Sequence, residues 1–426
     1  MNEHARKRRD FIQNITIALL CVSAVLLFAR TQMYNLGVSS GGPLSFLAGS
    51  DLPSPAPLAV TETVLTAPVR AAVTSAYGRY GSVTLTTDDE AFEPLRGLLE
   101  QALHPPLDYS ISSRQAFFAA LDRTSVYYDF LTSLPLSVVA DLVRADDGED
   151  MVSARRLIVS EDDDGTVSLY LWNGEDGFFH CATALTAETL EETVNRYELG
   201  NAFFAFESSD PNAQAAAPCS LFLETPPALP ELSIAIPLSD TDRLLLALDF
   251  NPNTQFRYVD ASGAEVVREG DRTLRLHPDG TLTYQGGGTP ALPIVPAGET
   301  LSLLETAGAV NDLLHSLLGA TVNDAELYLE QIRQSGGSTI LHFGYQAGGI
   351  PIRFTDGESA AQVTVTDGVV SAMTFRVRQY TVSGSTSLLL PLRQTLAIAA
   401  QQEGPELSIG YTDRGAGTAG AAWLAE

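Results

Sequence analysis

Lysine is almost absent from this chain. Lys7 is the only lysine among 25 basic residues, and all the others are arginine. Acidic residues number 52, so the formal net charge is -27. A surface with this charge balance repels phosphate backbones and anionic headgroups, which argues against nucleic acid as a partner. An acidic surface also serves solubility alone, so the charge identifies no other partner.

Cysteine and histidine are too few and too scattered for a metal centre. The three cysteines, Cys21, Cys181 and Cys219, show no CxxC or zinc-type spacing. The six histidines form no HExxH motif and no i, i+4 pair. We therefore predict no metal site and no cofactor. Whether Cys181 and Cys219 form a disulfide stays open, since an export route would permit one.

Familiar catalytic motifs are absent from the sequence as well. There is no G-x-S-x-G elbow, S-x-x-K motif or P-loop. The stretch GAGTAG, Gly415 to Gly420, matches the dinucleotide fingerprint, but only six residues follow it, so we predict a flexible loop. The stretch EDDDGT, Glu161 to Thr166, has consecutive rather than alternating acids and predicts a hairpin turn, not a calcium loop. We predict no catalytic residue and no enzymatic activity; an exported hydrolase with an unrecognised pair of carboxylates is the open alternative.

An apolar run opens the chain. Four basic residues precede 18 uncharged ones, Phe11 to Phe28, which as a helix rise about 27 Å, close to a hydrocarbon core of roughly 30 Å. The exit from the run is bulky and then charged, unlike a signal-peptidase site, and Cys21 lies too far inside it for a lipoprotein signal. We predict a retained transmembrane helix over 11–30, a cytoplasmic tail over 1–10 and an extracytoplasmic bulk: a single-pass protein of the cell membrane.

The predicted membrane helix carries small and polar side chains. Asn14, Ala18 and Cys21 fall on one face, and Thr16 and Ser23 share another. Such residues let a second helix approach and form hydrogen bonds in the bilayer, so these five are a candidate partner face. The alternative is that Asn14 lies at headgroup depth and the other four are ordinary tolerated residues.

Proline and glycine divide the exported part. We predict a Pro/Gly/Ser-rich stalk over 31–70, a first extracytoplasmic α+β lobe over 71–225, a linker and β-meander domain over 226–290, and a C-terminal α+β domain over 291–426. The expected fold class is thus α+β, with lobes of antiparallel sheets and packed helices behind a single N-terminal transmembrane helix.

Periodicity and turn residues predict the elements. Helices are expected at Glu93–Leu103, Ser113–Leu121, Thr186–Tyr197, Thr241–Phe250, Thr300–Leu318 and Leu388–Ala400. Strands of the first lobe are expected at Val83–Thr86, Arg156–Val159, Val167–Trp172 and Phe178–Ala182. The meander is expected at Gln255–Val259, Glu265–Arg268, Thr273–Leu276 and Thr281–Tyr284. The last strands are expected at Ala325–Arg333, Thr339–Gln346, Ile350–Phe354, Ala361–Thr366 and Val369–Tyr380.

The second half of the chain resembles the YycH/YycI family. The likeness runs over Asn311 to Tyr380, through LHFGYQAGGIPI and VTVTDGVVSAMTFRVRQY, and ends in ELSIGYTDRGAGTAGAAWL. The stretch FRYVDASGAEVVREGDRTLRLHPDGTLTYQ is similar to the meander that precedes this region in the family. The likeness covers roughly residues 240–426, and none of these motifs is a catalytic signature.

The resemblance implies a regulatory role. Members are membrane-anchored accessory proteins of Gram-positive bacteria that restrain the sensor histidine kinase of a cell-wall two-component system, through transmembrane helices and outer domains. The implied partners are that kinase and a paralogous accessory protein in the membrane. The lysine-poor acidic ectodomain and the long stalk depart from the family pattern. The alternative function is a binding or scaffold module for cell-envelope components.

Overall fold

The computed structural model describes most of the chain beyond residue 64. The described residues are 65, 68, 70–75, 79–82, 91–104, 108–142, 152–175, 177–238, 240–253, 256–286, 292–294, 301–319, 323–402, 404–415 and 417–425. The predicted tail, membrane helix and most of the stalk lie outside them, as does the strand predicted at Val83–Thr86. None of the helices within these ranges is long and apolar enough to cross a bilayer.

The α+β class is confirmed: two mostly antiparallel sheets carry eight helices in the described part of the chain. The strands of the first sheet are β1 Arg70–Ser75, β2 Arg79–Ser82, β3 Ser110–Ile111, β4 Ser125–Pro135, β5 Ser153–Glu161, β6 Thr166–Trp172, β7 Phe178–Thr186, β8 Ala202–Phe204 and β9 Leu221–Leu223. They are ordered β3-β7-β6-β5-β4-β1-β2-β8-β9. The helices of this part are α1 Glu93–Ala102, α2 Arg114–Leu121, α3 Leu136–Leu142, α4 Ala187–Val194 and α5 Pro211–Gln214, with a 3₁₀ turn at Ala205–Glu207.

Local signals explain the elements that were predicted here. The Ser113 hydroxyl accepts from the Ala116 N–H at 3.1 Å and begins α2, and the Thr186 hydroxyl accepts from the Thr189 N–H at 3.2 Å and begins α4. The hairpin β5–β6 turns through Gly165, whose φ of 82° suits glycine, so the predicted turn in EDDDGT is confirmed.

The two strands at the centre of the first sheet, β1 and β4, were not predicted. β4 pairs with β1 on one side and β5 on the other, and its side chains are almost all buried. A strand buried on both faces does not alternate between polar and apolar residues, so the period-2 pattern is lost. The sequence signal for β4 was therefore weak where the sheet is most deeply buried.

The second sheet gathers the meander and the C-terminal strands into one structure. Its strands are β10 Pro230–Ala235, β11 Arg257–Val259, β12 Glu265–Glu269, β13 Arg272–Leu276, β14 Thr281–Gln285, β15 Glu326–Ser335, β16 Ser338–Ala347, β17 Ile350–Phe354, β18 Ala361–Thr366, β19 Val369–Arg376, β20 Gln379–Thr386, β21 Leu407–Asp413 and β22 Gly417–Ala425. They are ordered β11-β12-β13-β14-β19-β18-β16-β17-β21-β22-β10-β20, and β15 pairs with β16. The helices of this part are α6 Thr241–Ala247, α7 Leu303–Leu318 and α8 Leu392–Ala399.

Helix α7 is fixed at both ends by hydrogen bonds. A capping box of Ser302 and Glu305 begins it, three residues later than the predicted start. At its other end the Arg243 guanidinium donates to the carbonyls of Ser316 and Leu317, at 2.7 and 2.9 Å. A cation on the last carbonyls is favourable, because these oxygens have no partner inside the helix.

Two predictions for the last part of the chain were wrong. The stretch Gly415–Gly420 was expected to be a loop, but β22 begins at Gly417 and pairs with β10, where Leu232 lies opposite Ala419. Its small residues fit a strand between two neighbours, and Ala419 is fully buried. The stretch Val369–Tyr380, expected to be one strand, is divided between β19 and β20, because the chain changes partner at Val377 and Arg378.

Candidate functional site: a buried arginine and carboxylate cluster

A row of charged residues crosses the centre of the first sheet. Arg70 on β1 lies opposite Asp129 on β4, and Asp129 lies opposite Arg156 on β5. Arg70 is 5% exposed, Arg156 1% and Asp129 0%. Buried charges persist only when they are paired and hydrogen-bonded. This row is the start of what we call the interlobe cluster: Arg70, Asp129, Arg155, Arg156 and Glu406.

The Asp129 carboxylate is the centre of this row. Its Oδ2 accepts from Arg70 Nη2 at 2.6 Å, from Arg156 Nε at 3.2 Å and from the Tyr127 hydroxyl at 3.1 Å. Its Oδ1 accepts from the N–H of Leu131 at 2.9 Å, in a bulge of β4 where Leu131 has a φ of 64°. Burial alone would raise the pKa of Asp129, but the neighbouring guanidinium groups and the Leu131 N–H hold it well below the usual range.

Glu406 reaches the cluster from the second sheet, one residue before β21. Its carboxylate accepts from Arg70 Nη2 at 2.8 Å, from Arg155 Nη2 at 2.6 Å and from Arg156 Nη2. Arg70 also donates through Nη1 to the Leu407 carbonyl at 3.1 Å. Burial and Asp129 oppose ionisation of Glu406, yet the three arginines outweigh them and lower its pKa.

Backbone bonds on both sides hold Glu406 in place. The Ala217 N–H donates to the Pro405 carbonyl at 2.9 Å, and the Leu407 N–H donates to the Ser220 hydroxyl at 3.3 Å. Two further contacts reach the second sheet: the Leu329 N–H donates at 2.7 Å to the carbonyl of Leu65, which precedes β1, and the Thr132 hydroxyl of β4 donates to the Glu330 carbonyl. The cluster is therefore the charged part of a continuous joint between the two sheets.

The aromatic residue beside the cluster adds a further contact. Trp172 on β6 lies opposite Arg156, and the guanidinium carbon of Arg156 is 4.5 Å from the Trp172 ring centroid. A planar guanidinium stacks well on an aromatic face while it keeps its in-plane donors for carboxylates. One side chain thus contacts both carboxylates and the ring.

A second buried ion pair lies wholly within the second sheet. Arg378 Nε is 3.3 Å from Asp413 Oδ2, which also accepts from the Tyr380 hydroxyl at 2.7 Å. The same guanidinium donates to the Asp279 carbonyl at 2.7 Å, across the turn at Gly280. A Cβ on Gly280 would lie 2.4 Å from Arg378 Nη1, so this turn requires glycine. This pair fixes the interior of one sheet and does not bridge to the other.

The acid–base chemistry open to the interlobe cluster is limited, because its carboxylates already accept several hydrogen bonds each. Both carboxylates are held ionised by several donors each, and Asp129 has no exposed surface, so neither is placed to exchange a proton with a substrate. In the part of the chain that the structure describes, no group of three or more His, Cys, Asp or Glu side chains could hold a metal ion. What the arrangement does is join the two sheets through charges that neither sheet could bury alone.

The two described cysteines are free and buried, which settles the open disulfide. Cys181 packs with the core on one face of the first sheet and Cys219 with the core on the other. Burial raises the pKa of the Cys219 thiol to about 11 and that of Cys181 to about 12, so both are protonated at neutral pH.

The candidate partner face of Asn14, Thr16, Ala18, Cys21 and Ser23 lies outside the described residues. The interlobe cluster was missed in the sequence, although one signal was present: Asp129 interrupts an otherwise apolar run, SVYYDFL, and an arginine pair stands in the β5 strand. A charged residue inside an apolar strand needs a partner of opposite charge, and this rule could have predicted the pairing of Asp129 with the arginines of β5.

No protein-family model matches the chain, and no curated protein and no solved structure does either.

Proposed function

We propose that this chain is a non-enzymatic regulator, tethered to the cell membrane by its N-terminal helix, that modulates a sensor histidine kinase of a cell-envelope two-component system. Both the helix and the extracytoplasmic domains take part in this control. The proposal draws on the resemblance in the second half, the apolar run at 11–30 and the place where the chain enters the folded domains.

That place of entry is the observation that carries the proposal. Leu65 bonds to Leu329 on β15 of the second sheet, and Arg70 then begins β1 of the first sheet. The first residue of β1 is also the one that contacts Glu406 and Leu407. The end of the predicted stalk, 31–70, therefore reaches the fold at the joint between the sheets, where a shift of either sheet acts on the tether.

The free energy held in a buried ion pair is of the same order as the free energy needed to shift a kinase between two states. Moving a two-state partner from 1:99 to 99:1 takes about 5.5 kcal/mol of differential interaction. Removing one partner of a buried ion pair costs about 3–5 kcal/mol. A regulator that acts by differential contact needs no catalytic group, only two arrangements of unequal affinity for the two kinase states.

The membrane helix is tested by reconstitution with a sensor kinase from the same operon. Full-length protein and kinase are placed in proteoliposomes, and kinase autophosphorylation is measured. A triple variant, Asn14→Leu, Ala18→Leu and Cys21→Leu, is expected to lose its effect on the kinase, because leucine suits the bilayer but removes the small and polar side chains that let a second helix approach and form hydrogen bonds.

The matched control changes a different face of the same helix: Ile15→Leu, Leu19→Ile and Val22→Leu should leave the effect on the kinase intact. If the triple variant of the polar face regulates as well as wild type, the helix contact is refuted. If no kinase responds to the wild-type protein, the proposed function itself fails.

A further inference from the structure

One face of the second sheet is open to solvent and polar. Along β13, β14, β19 and β18, alternate side chains are buried, such as Leu274, Tyr284 and Val363. The residues between them face outward and lie in a register row that runs across the strands. That row consists of Arg275, Thr283, Thr374, Gln362 and His342. The outward side of this part of the sheet is therefore a continuous polar surface, which we call the open face.

The open face contains a groove of about 370 Å³. Thr, Gln, Arg and His side chains make up most of its lining, including His277, Gln285 and Thr364, and no carboxylate lines it. In a chain with 52 acidic residues, a groove without one is a local departure from the general charge. The groove thus offers hydrogen-bond donors and acceptors without the repulsion that carboxylates would give an anion.

Three arginines on the open face are uncommitted. The guanidinium groups of Arg268, Arg275 and Arg333 donate no hydrogen bond and form no ion pair within the described part of the chain. By contrast, Arg70 and Arg156 each form ion pairs with buried carboxylates. Unpaired guanidinium groups are ready to receive carboxylates in a bidentate fashion.

Two of these arginines, Arg275 and Arg333, lie far apart on the open face. Five strand-to-strand steps separate β13, which carries Arg275, from β15, which carries Arg333, through β14, β19, β18 and β16. At about 4.8 Å a step this is a span of about 24 Å. By register, Tyr258 on the edge strand β11 lies in the same row as Arg275 and is 51% exposed, with the buried Val266 of β12 between them. Across the strands the face thus presents an exposed aromatic ring, then, beyond the buried Val266, a cation followed by hydroxyls, an amide and an imidazole. The second cation, Arg333, lies on β15 opposite Ile340, two residues from the end of this row.

We propose that the open face binds an extended acidic polysaccharide, a hydroxyl-rich chain that carries carboxylates. Gln and Thr side chains donate and accept hydrogen bonds, as sugar hydroxyls do, and the arginines receive the carboxylates. A sugar ring stacks on Tyr258. A peptide is less well matched, because it would lie across the strands, where the sheet has no free backbone edge for it to join.

The net charge of the whole chain does not prevent this binding. At physiological ionic strength the Debye length is about 8 Å, so a ligand on the face responds mainly to the charges of the face itself. The inference does not depend on kinase control, and it gives the alternative role as an envelope-binding module a specific ligand class.

Titration calorimetry of the full-length protein in detergent, at 0.15 M salt, tests the proposal with an octamer of galacturonic acid. The double variant Arg275→Gln with Arg333→Gln should weaken binding by at least about tenfold, because two charge-assisted contacts are lost. Arg393→Gln, an exposed arginine on α8 away from the face, is the matched control and should bind like wild type. The methyl-esterified octamer, which has no carboxylates, should bind at least about tenfold more weakly.

Three results would overturn the proposal. They are no binding of the octamer at millimolar concentration, equal weakening by Arg393→Gln, and equally tight binding of an octaglutamate peptide that is lost in the same double variant. The last result would make the face a site for acidic peptides instead.

Discussion

Neutralising Glu406 is the sharpest perturbation of the interlobe cluster. Glu406→Gln keeps the size of the side chain but removes the charge that faces Arg70, Arg155 and Arg156. Losing one partner of a buried ion pair costs about 3–5 kcal/mol. The Glu406 side chain is 13% exposed and glutamine keeps one acceptor oxygen, so the lower end of that range applies, about 3 kcal/mol.

Urea denaturation of the full-length protein in detergent measures this cost. The chain has two tryptophans, one in each sheet: Trp172 beside the cluster and Trp423 on β22. In a Trp423→Phe background the fluorescence reports the first sheet alone. Glu406→Gln should lower the urea midpoint by an amount equivalent to about 3 kcal/mol, while Glu100→Gln on the exposed side of α1 should stay within about 0.5 kcal/mol of its parent. Equal midpoints for the two variants would refute the view that the cluster holds the sheets together.

Three further predictions follow from individual groups. Burial alone would raise the pKa of Glu406, but the arginines lower it, so its contribution to stability is complete above the unfolded pKa of about 4.3 and is lost as the pH falls through the folded pKa. The difference in unfolding free energy between wild type and Glu406→Gln, measured by urea denaturation, should be constant from pH 5 to 8 and shrink below about 4.3. A difference that widens in acid would contradict this. Ser302→Ala removes the capping box of α7 and should lower the free energy of unfolding, measured by urea denaturation, by about 1 kcal/mol. The control, Ser385→Ala in an exposed strand, should lower it by less than about 0.5 kcal/mol. Equal effects of the two variants would exclude a capping role for Ser302. Cys181 and Cys219 should resist iodoacetamide at pH 8 until the protein is unfolded, as judged by mass spectrometry, whereas rapid native labelling of either would show that it is not buried.

The sequence was most informative where structure is local. Serine and threonine caps at 113 and 186, the Asp-Gly turns and the apolar spacing of α7 each depend on residues within one or two turns of one another. These signals predicted the β5–β6–β7 hairpins and the helices α1, α2, α4, α6 and α7, with boundaries displaced by a few residues at the ends.

Long-range pairing was beyond the same reasoning. Nothing in the local pattern says that β10 inserts between β22 and β20, or that the meander pairs with β19 and joins the C-terminal strands in one sheet. The Gly415–Gly420 prediction failed for this reason: a run of small residues looks like a loop until two neighbouring strands are known to enclose it. Glu406 lies 336 residues from Arg70 in the chain. The sequence could therefore indicate that a buried charge needs a partner, but it could not indicate which residue that partner is.

Kinase autophosphorylation in proteoliposomes, compared between wild type and Glu406→Gln, tests the central claim most directly. The two proteins share the same proposed membrane helix and differ only at Glu406, in the joint between the sheets. We expect Glu406→Gln, present in the membrane in equal amount and folded at the assay temperature, to lose much of its control over the kinase. Full control by this variant, with a urea midpoint that shows the cluster to be weakened, would contradict the claim that regulation passes through the joint.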